Sequence, residues 1–449
     1  MRQWMVAAKK ADFYAIAEKF HVDPVVARII RNREVIGEKN IRIYLGGNLS
    51  DLSDPHQMKD MDRLVEILVQ KIRKQVRIRI IGDYDVDGVT SSHLFLTALR
   101  RVGAKVDVVI PHRIQDGYGL SLHLLQQAKE DGVDTILTCD NGIAAIDEIA
   151  WAKAQKMTVL VTDHHAVPFE EHEGRRTEKK SLADAVVNPH QQDCGYPYKE
   201  LCGAGVAWNV IRVLYENYDM DKREAEDLLD FVAMATVCDV MSLTGENRIL
   251  VKEGLKRIRH TKNIGLQALM QACNVQPENI SAYHFGYVLG PCVNATGRLD
   301  TARHALRLFE TGQETEAEEI ARDLVDLNQE RKELTLQGVE MAKKLCEEGG
   351  YENDPILVLF LPDVHESIAG LIAGRIREMY NRPVFVLTRG EEGVKGSGRS
   401  TENYSMYENM CGCAELFTKF GGHPMAAGLS LPEENVEKLS RSILDARQN

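Results

Sequence analysis

The sequence predicts an α/β protein in which a larger parallel-sheet domain is joined by a long helix to a smaller α/β domain. Three observations support this prediction. Short β-branched runs alternate with helical stretches between residues 77 and 188, a pattern typical of βαβ units. Residues 314–348 place an apolar stripe at three- and four-residue spacing among charged residues, as in one long helix. A second α/β pattern follows the breaker GGYENDP at 349–355.

The individual elements can be assigned in chain order. The N-terminal residues have a helical pattern that a turn-rich segment interrupts near 46–55. The predicted strands are 77–82, 105–110, 135–138, 158–162 and 185–188, and the predicted helices between them are 89–101, 120–130 and 144–156. We therefore divide the chain into an N-terminal helical region, a larger α/β domain, a long connecting helix and a smaller α/β domain, at 1–56, 57–303, 304–350 and 351–449.

Composition excludes several classes of protein. The chain of 449 residues has no uncharged apolar stretch long enough for a transmembrane helix, and its charged N-terminus does not resemble a signal peptide. Its nine cysteines form no C-x-x-C pair, which predicts reduced thiols in a cytoplasmic protein and neither a disulfide framework nor a zinc site. No Gly-Lys dipeptide is present, so a Walker A phosphate-binding loop is excluded.

The net charge of −12 is unusual for a protein that binds nucleic acid. It does not exclude that function. A site with many aspartates makes the net charge of the sequence more negative. Bound divalent cations neutralise this negative charge locally.

Three aspartates stand at alternate positions in IIGDYDVDGVTSSHL, namely Asp83, Asp85 and Asp87. A calcium-binding EF-hand loop begins with the same spacing but needs a glutamate at its twelfth position, which here is Leu94. The segment before the motif is also strand-like, so calcium is disfavoured. Three solvated carboxylates without a function are the other alternative, which repulsion between close like charges disfavours.

Other acidic and imidazole side chains follow other predicted strands. Asp140 follows strand 135–138, and Asp163, His164 and His165 follow strand 158–162. Because ligands of open parallel sheets bind beyond the carboxyl ends of the strands, we expect these loops to form one site. Asp239 lies at the end of an apolar helix. Taken alone it would be interpreted as a local cap or turn residue, but the presence of the other acidic clusters favours a further ligand.

This set of side chains predicts bound divalent cations. Many carboxylates with a minority of imidazole suit Mn²⁺ or Mg²⁺ better than zinc. The set is large enough for two ions bridged by one aspartate, an arrangement that activates water for attack on a phosphoryl group. Asp85 and Asp87 are then expected to hold different ions of the pair.

The motifs GDYDVDG, CDNGIAA, VTDHH and ATVCDVMSL…NR resemble, in order and spacing, those of the DHH phosphoesterase superfamily. The fuller pattern, with PHRIQDGYGLS, LCGAGVAW, GPCVNATGRLDTA, GSGRS and FGGHPMAAG, is similar to RecJ-type exonucleases over nearly the whole chain. The resemblance implies a DHH catalytic domain over 57–303 and a DHH-associated, substrate-binding domain over 351–449. It implies a 5′→3′ exonuclease that hydrolyses single-stranded DNA to 5′-mononucleotides with two metal ions, in DNA repair and recombination.

The resemblance also implies roles for single residues. The ligands of one ion are Asp83, Asp85 and Asp140, and those of the second are Asp87, Asp140, His164 and Asp239, with Asp140 as the bridge. His165 is implied to contact the scissile phosphate, and its alternative is a buried hydrogen-bonding histidine beside the site. The residues implied to bind substrate and its 5′-phosphate are Arg113, Arg298, Ser397, Arg399, Ser400 and His423. For the glycine-rich stretches around the last four, the alternative is that the glycines only permit tight turns.

Two other functions stay open at this stage. One is a DHH-family nanoRNase or cyclic-dinucleotide phosphodiesterase that acts on short oligonucleotides, RNA included. The N-terminal region and PHRIQDGYGLS argue against it, whereas the lack of an OB-fold segment after Asn449 argues for it and predicts weaker binding of long strands. The other is an inactive replication scaffold, against which the presence of every matched ligand argues. A single-stranded-DNA-binding protein or a helicase is the expected protein partner, and no membrane is expected.

Overall fold

The computed structural model describes residues 9–445 apart from 114–115, 117–118, 173–174, 350, 352–353 and 391–392. Part of the motif PHRIQDGYGLS therefore lies outside the described residues. The chain divides into two compact units between Val325 and Asp326. Among the helices in the described part of the chain, none is both long and apolar enough to cross a membrane.

The first unit contains seven strands and fifteen helices in its described residues. The strands are β1 Arg77–Ile81, β2 Lys105–Val109, β3 Thr135–Cys139, β4 Thr158–Thr162, β5 Phe169–His172, β6 Arg175–Glu178 and β7 Ala185–Val187. The helices are α1 Phe13–Phe20, α2 Pro24–Asn32, α3 Glu38–Gly46, α4 Met61–Arg73, α5 Val86–Arg101, α6 Leu122–Glu130, α7 Ile146–Ala154, α8 Gly203–Asn217, α9 Lys222–Glu226, α10 Leu229–Cys238, α11 Gly245–Arg257, α12 Ile264–Ala272, α13 Ala282–His284, α14 Gly290–Leu299 and α15 Ala302–Glu310.

The main sheet has the strand order β2-β1-β3-β4-β7, and every neighbouring pair is parallel. Side chains alternate between its two faces, so successive residues such as Ile80 and Ile81 belong to two separate hydrophobic clusters. Helices α4, α5, α8 and α10 contribute to the cluster on one face, and α6 and α7 contribute to the other. The prediction of a parallel sheet covered by helices on both faces is confirmed.

Helix α5 begins three residues earlier than the sequence pattern predicts, because the side chain of Asp85 caps it. The antiparallel hairpin β5–β6 is absent from the prediction. Between α13 and α14 the chain forms a π-helical turn, Phe285–Leu289, which apolar periodicity alone does not reveal.

The long helix α16, Glu314–Glu348, links the two units as predicted. The second unit has strands β8 Leu357–Phe360, β9 Val384–Gly390, β10 Gly393–Arg399, β11 Lys419–His423 and β12 Ala426–Leu431, and helices α17 Ala369–Tyr380, α18 Met406–Cys411 and α19 Val436–Asp445. Its sheet has the order β11-β12-β10-β9-β8, in which only the pair β8–β9 is parallel. The predicted α/β character of this unit is confirmed.

Candidate metal centre

The turn between β1 and α5 concentrates three carboxylates. Asp83 is buried, and the carboxylate of Asp85 accepts a hydrogen bond from the Gly88 amide at 3.0 Å. Gly88 must lack a side chain, because a Cβ there would lie 2.5 Å from the backbone nitrogen and oxygen of Asp83. The glycine thus lets the first turn of α5 fold tightly against the end of β1, so that all three aspartates share one edge of the sheet.

The third aspartate of this turn, Asp87, is held by the N-terminus of α8. Its two carboxylate oxygens accept hydrogen bonds from the amides of Gly203 and Ala204 at 2.6 and 2.7 Å. Free amides and the helix dipole favour a negative charge there. A Cβ on Gly203 would lie 2.6 Å from the Cβ of Asp140, so the motif LCGAGVAW brings a helix end against two of the predicted ligands.

Asp140 follows β3 in a left-handed backbone conformation with φ of +62°. Aspartate tolerates this region better than most residues. The next residue, Asn141, donates a side-chain hydrogen bond to the Ile81 carbonyl at 3.1 Å, which ties the turn to the end of β1. Local backbone geometry thus directs Asp140 toward the aspartates that follow β1.

Asp239 ends α10, and Val240 after it has a φ of +58° and is 87% exposed. A β-branched residue in this conformation is strained, and such strain is typical of functional sites. The oxygen Oδ2 of Asp239 lies 3.6 Å from Nε2 of His164.

The predicted ligands meet in space. Nε2 of His164 also lies 3.0 Å from Oδ1 of Asp140 and 3.7 Å from Oδ2 of Asp87. The described residues include three groups whose ligand atoms all lie within 4.8 Å of one another: Asp83 with Asp85 and Asp140, Asp87 with His164 and Asp239, and Asp140 with His164 and His165. The first two groups are subsets of the two ligand sets expected from the sequence.

The carboxylates of this centre repel one another. Burial and the charge of Asp85 raise the pKa of Asp83 well above its usual range. Burial and the charge of Asp87, with those of other aspartates, raise the pKa of Asp140 in the same way and that of Asp239 to about 8. Burial lowers the pKa of His164, so its imidazole is in the neutral form that binds metals.

These properties fit divalent cations. Oδ1 of Asp83 and Oδ2 of Asp239 are buried without a hydrogen-bond partner among the described residues. Buried polar atoms are normally paired, and buried carboxylates need a counter-charge. Oxygen ligands with one imidazole suit Mn²⁺ and Mg²⁺.

Comparison with known proteins agrees with this centre. The model of the DHH family, N-terminal domain, matches residues 77–236, and that of the DHHA1 domain matches residues 353–448. The single-stranded-DNA-specific exonuclease RecJ of Haemophilus influenzae is 36% identical over 430 residues, which cover 92% of this chain and 72% of that protein. The chain belongs to the RecJ family.

Two further RecJ proteins that match are longer than this chain. RecJ of Bacillus subtilis is 33% identical over 97% of the chain and 54% of its own length. The crystal structure of Thermus thermophilus RecJ with Mn²⁺ matches with a TM-score of 0.81 and 29% identity, over 97% of this chain and 60% of that one. The Mg²⁺ complex of the same RecJ matches with a TM-score of 0.75 and 28% identity, over 97% of this chain and 58% of that one. The chain thus spans little more than half the length of these two RecJ proteins.

His165 is oriented by Asp163, a residue to which the sequence analysis gave no separate role. Oδ1 of Asp163 accepts hydrogen bonds from Nδ1 of His165 at 2.8 Å and from the amides of His164 and His165, and Oδ2 accepts one from the Ile143 amide. Burial lowers the pKa of His165, but the hydrogen bond and charge of Asp163 outweigh it and raise the pKa to about 9. His165 is partly exposed at the edge of the centre, so it is not the fully buried histidine of the alternative.

Two predicted substrate-binding arginines lie beside Tyr84, between Asp83 and Asp85. The guanidinium of Arg113 stacks over the Tyr84 ring at 4.9 Å. Arg298 follows Gly297, where a Cβ would lie 2.5 Å from the Tyr84 carbonyl oxygen. The positive charges of both arginines act on the Tyr84 hydroxyl, although burial dominates and raises its pKa. The fold thus brings Arg113 and Arg298 to the turn that carries Asp83 and Asp85.

The remaining predicted residues lie in the second unit. Gly396 and Gly398 are inside strand β10, where a Cβ would clash with the side chains of Leu387 and Met406. These two glycines therefore serve packing of the sheet, and the tight-turn alternative is wrong for them.

Ser397 and Arg399 point to the opposite face of β10, where Gly370 opens helix α17. A Cβ on Gly370 would lie 2.8 Å from the Arg399 guanidinium and 3.4 Å from the Ser397 hydroxyl. Helix α17 continues from the 3-10 turn Glu366–Ile368, and the Ala369 amide donates to the Glu366 carbonyl. An arginine and a serine side by side form a group suited to an anion.

His423 and Ser400 differ in what they offer to a phosphate. His423 pairs with Ala426 of β12, which also pairs with Arg399, so the three residues share one row of the sheet. The exposed ring of His423 accepts a hydrogen bond from the Met425 amide. Ser400 is buried, its hydroxyl donates to the Tyr404 carbonyl and its amide donates to the Met425 carbonyl. We therefore assign Ser400 to support of the strand end.

Proposed function

We propose that this chain is a 5′→3′ exonuclease that hydrolyses single-stranded DNA to 5′-mononucleotides, with two Mn²⁺ or Mg²⁺ ions per active site, in DNA repair and recombination. The observation that carries the proposal is the convergence at one sheet edge of Asp83, Asp85, Asp87, Asp140, His164, His165 and Asp239. The activity named for the relatives supports the same reaction.

Two cations held by these ligands would lower the pKa of an attacking water and neutralise charge on the phosphoryl group. Asp140 belongs to the first group, and its Oδ1 lies 3.0 Å from Nε2 of His164 in the second, so we propose that Asp140 would be the ligand common to both ions. Asp163 fixes the ring of His165 with Nδ1 toward the carboxylate, and we propose that Nε2 donates to a non-bridging oxygen of the scissile phosphate. Asp83, Asp87 and Asp140 are buried, which strengthens the electrostatic interactions of their carboxylates.

We further propose that Arg113 and Arg298, beside the metal centre, bind the substrate and its 5′-phosphate, since guanidinium groups bind phosphate in a bidentate manner. Ser397, Arg399 and His423 are also proposed to bind the 5′-phosphate. This assignment proposes a catalytic domain at 57–303 and a substrate-binding domain at 351–449, and the segment 304–350 between them contains helix α16.

A cytoplasmic location is proposed from the reduced thiols and the nucleic-acid substrate. A single-stranded-DNA-binding protein or a helicase is the proposed protein partner, because either would deliver single strands to the site.

The test is incubation of single strands with chelator-treated protein after addition of Mn²⁺ or Mg²⁺. Strands labelled at the 5′ or the 3′ end report polarity, and the size of the first product reports whether mononucleotides are released. A duplex, an RNA strand and a dinucleotide of the same sequence serve as comparison substrates. Release of 5′-mononucleotides from single-stranded DNA is expected, whereas cleavage confined to the dinucleotide would replace the proposal with a short-oligonucleotide phosphodiesterase.

A further inference from the structure

A stacked pair of tyrosines is exposed on the segment that leads into α14. Tyr283 is 62% exposed and Tyr287 is 72% exposed. Their ring centroids lie 5.1 Å apart with an interplanar angle of 24°. Tyr283 also contacts the His284 ring edge-on, at 5.7 Å between centroids, and both tyrosines stay mostly exposed. Single exposed aromatic residues are ordinary, but two parallel rings that together present an open aromatic surface are the feature that binds unpaired bases.

The segment that carries the pair is fixed against the metal centre. Tyr287 lies in the π-helical turn Phe285–Leu289. The carbonyl of Phe285 accepts a hydrogen bond from Sγ of Cys238 at 3.3 Å, and Cys238 directly precedes Asp239. Gly290 packs so closely that a Cβ there would clash with the same sulfur. A π-helical turn of this kind is frequent at functional sites.

The segment continues as helix α14, which contacts the turn between β1 and α5. The side-chain oxygen of Asn294 accepts a hydrogen bond from the Val86 amide at 3.1 Å, in the turn that carries the three aspartates. Arg298 follows one turn later. Tyr287 and Asn294 are seven positions apart in the chain, which is at most about 10 Å along a helix. A strand of nucleotides rises about 3.4 Å per residue when stacked, so this distance corresponds to about three nucleotides.

The charge of this segment suits a polyanion. Residues 279–299 contain no aspartate or glutamate, although 67 acidic residues in a chain of 449 would place about three in a stretch of this length. In a chain with a net charge of −12, this stretch, which Glu278 and Asp300 flank, adds no negative charge of its own that would repel phosphates.

We propose that Tyr283 and Tyr287 form a platform on which unpaired bases of the substrate stack as the strand approaches the metal centre. This inference rests on the proposed nuclease function and adds a binding site for the bases of the strand beyond the scissile phosphate. The platform would bind bases of any identity, since every base has an aromatic face. It would also select against a duplex, whose bases stack on one another and are closed to the tyrosine rings.

The test compares two strands of the same length and charge, an oligothymidylate of about 16 nucleotides and a matched strand without bases, in the presence of chelator so that neither is cut. Binding to the full chain is measured by fluorescence polarisation. The double variant Tyr283→Ala/Tyr287→Ala is expected to weaken binding of the thymidylate about 5- to 100-fold and to leave the abasic strand within about two-fold. Tyr283→Phe/Tyr287→Phe is expected to bind as the wild type does, because it keeps the rings.

Tyr14, which is 77% exposed on α1, provides a matched control, and Tyr14→Ala should change neither affinity. Equal weakening for both strands, or no weakening for either, would overturn the platform. Because binding is measured without metal, this outcome is separate from the nuclease assay. A chain that cuts no single strand would refute the proposed function, while the binding comparison would still decide whether the tyrosines contact bases.

Discussion

The substitution Gly203→Ala tests how closely the α8 N-terminus must approach the metal centre. The new Cβ would lie 2.6 Å from the Cβ of Asp140 and 2.8 Å from its Oδ1. Van der Waals contact at such a position begins near 3.4 Å, so Asp140 or the helix end must move by about 0.8 Å. The same movement displaces the two amides that hold Asp87.

A misplacement of about 1 Å near the reacting atoms costs about 100-fold in rate, and overpacking costs about 1–3 kcal/mol in stability. We therefore expect kcat/KM for nucleotide release from a labelled single strand to fall about 10- to 100-fold. The affinity for Mn²⁺, measured by calorimetric titration, should fall in the same variant, because Asp87 and Asp140 lose their relative positions.

Gly205→Ala is the matched control in the same helix. Its Cβ would lie 3.4 Å from Leu201, an ordinary contact, and alanine in a helix adds about 0.4–1 kcal/mol of stability. Gly205→Ala should keep wild-type activity and melt at the same or a higher temperature. If Gly203→Ala were as active as Gly205→Ala, the close approach of α8 to Asp140 would have no role in catalysis.

Three further substitutions address single roles in the site. Asp140→Ala should reduce cleavage to below a few per cent while DNA binding stays measurable by polarisation, because the first group of ligands loses a member and His164 of the second group loses its neighbouring carboxylate oxygen at 3.0 Å; substantial residual activity would contradict the proposed bridging role of Asp140. Arg298→Ala should reduce the preference for a 5′-phosphate over a 5′-hydroxyl in a competition assay, since it removes a bidentate phosphate donor; an unchanged ratio would exclude Arg298 from phosphate binding. Asp163→Asn should lower kcat about 10- to 100-fold with little change in KM, because His165 loses the carboxylate that orients and charges it; equal loss in a His165→Ala background would show that Asp163 acts elsewhere.

Most of the fold and the positions of the ligands follow from local patterns in the sequence. The β-branched runs define β1, β3 and β4, and the parallel order then brings residues after each strand to one edge. Asp83, Asp140 and His164 are separated by up to 81 positions, yet their meeting requires only that the strands be parallel and adjacent. This is why the sequence pattern was sufficient to predict that these candidate ligands lie close together.

Contacts that depend on packing between distant elements could not be predicted in this way. The hydrogen bonds from Gly203 and Ala204 to Asp87 join residues more than a hundred positions apart, and nothing local in LCGAGVAW indicates which carboxylate they hold. The sequence likewise does not show that Gly396 and Gly398 are small because Leu387, Leu429, Phe385 and Met406 fill the space beside them. Nor does it distinguish Ser397, which faces Gly370, from Ser400, whose hydroxyl already donates to Tyr404.

The number of Mn²⁺ ions bound per chain tests the central claim most directly. Calorimetric titration of chelator-treated protein should give two ions for the wild type, because Asp83, Asp85 and Asp140 form one group of ligands and Asp87, His164 and Asp239 form another. Asp239→Asn should bind one ion with high affinity, since it damages only the second group. A wild-type chain that cleaves single strands with one ion bound, or an Asp239→Asn chain that still binds two ions equally well, would contradict the two-metal centre.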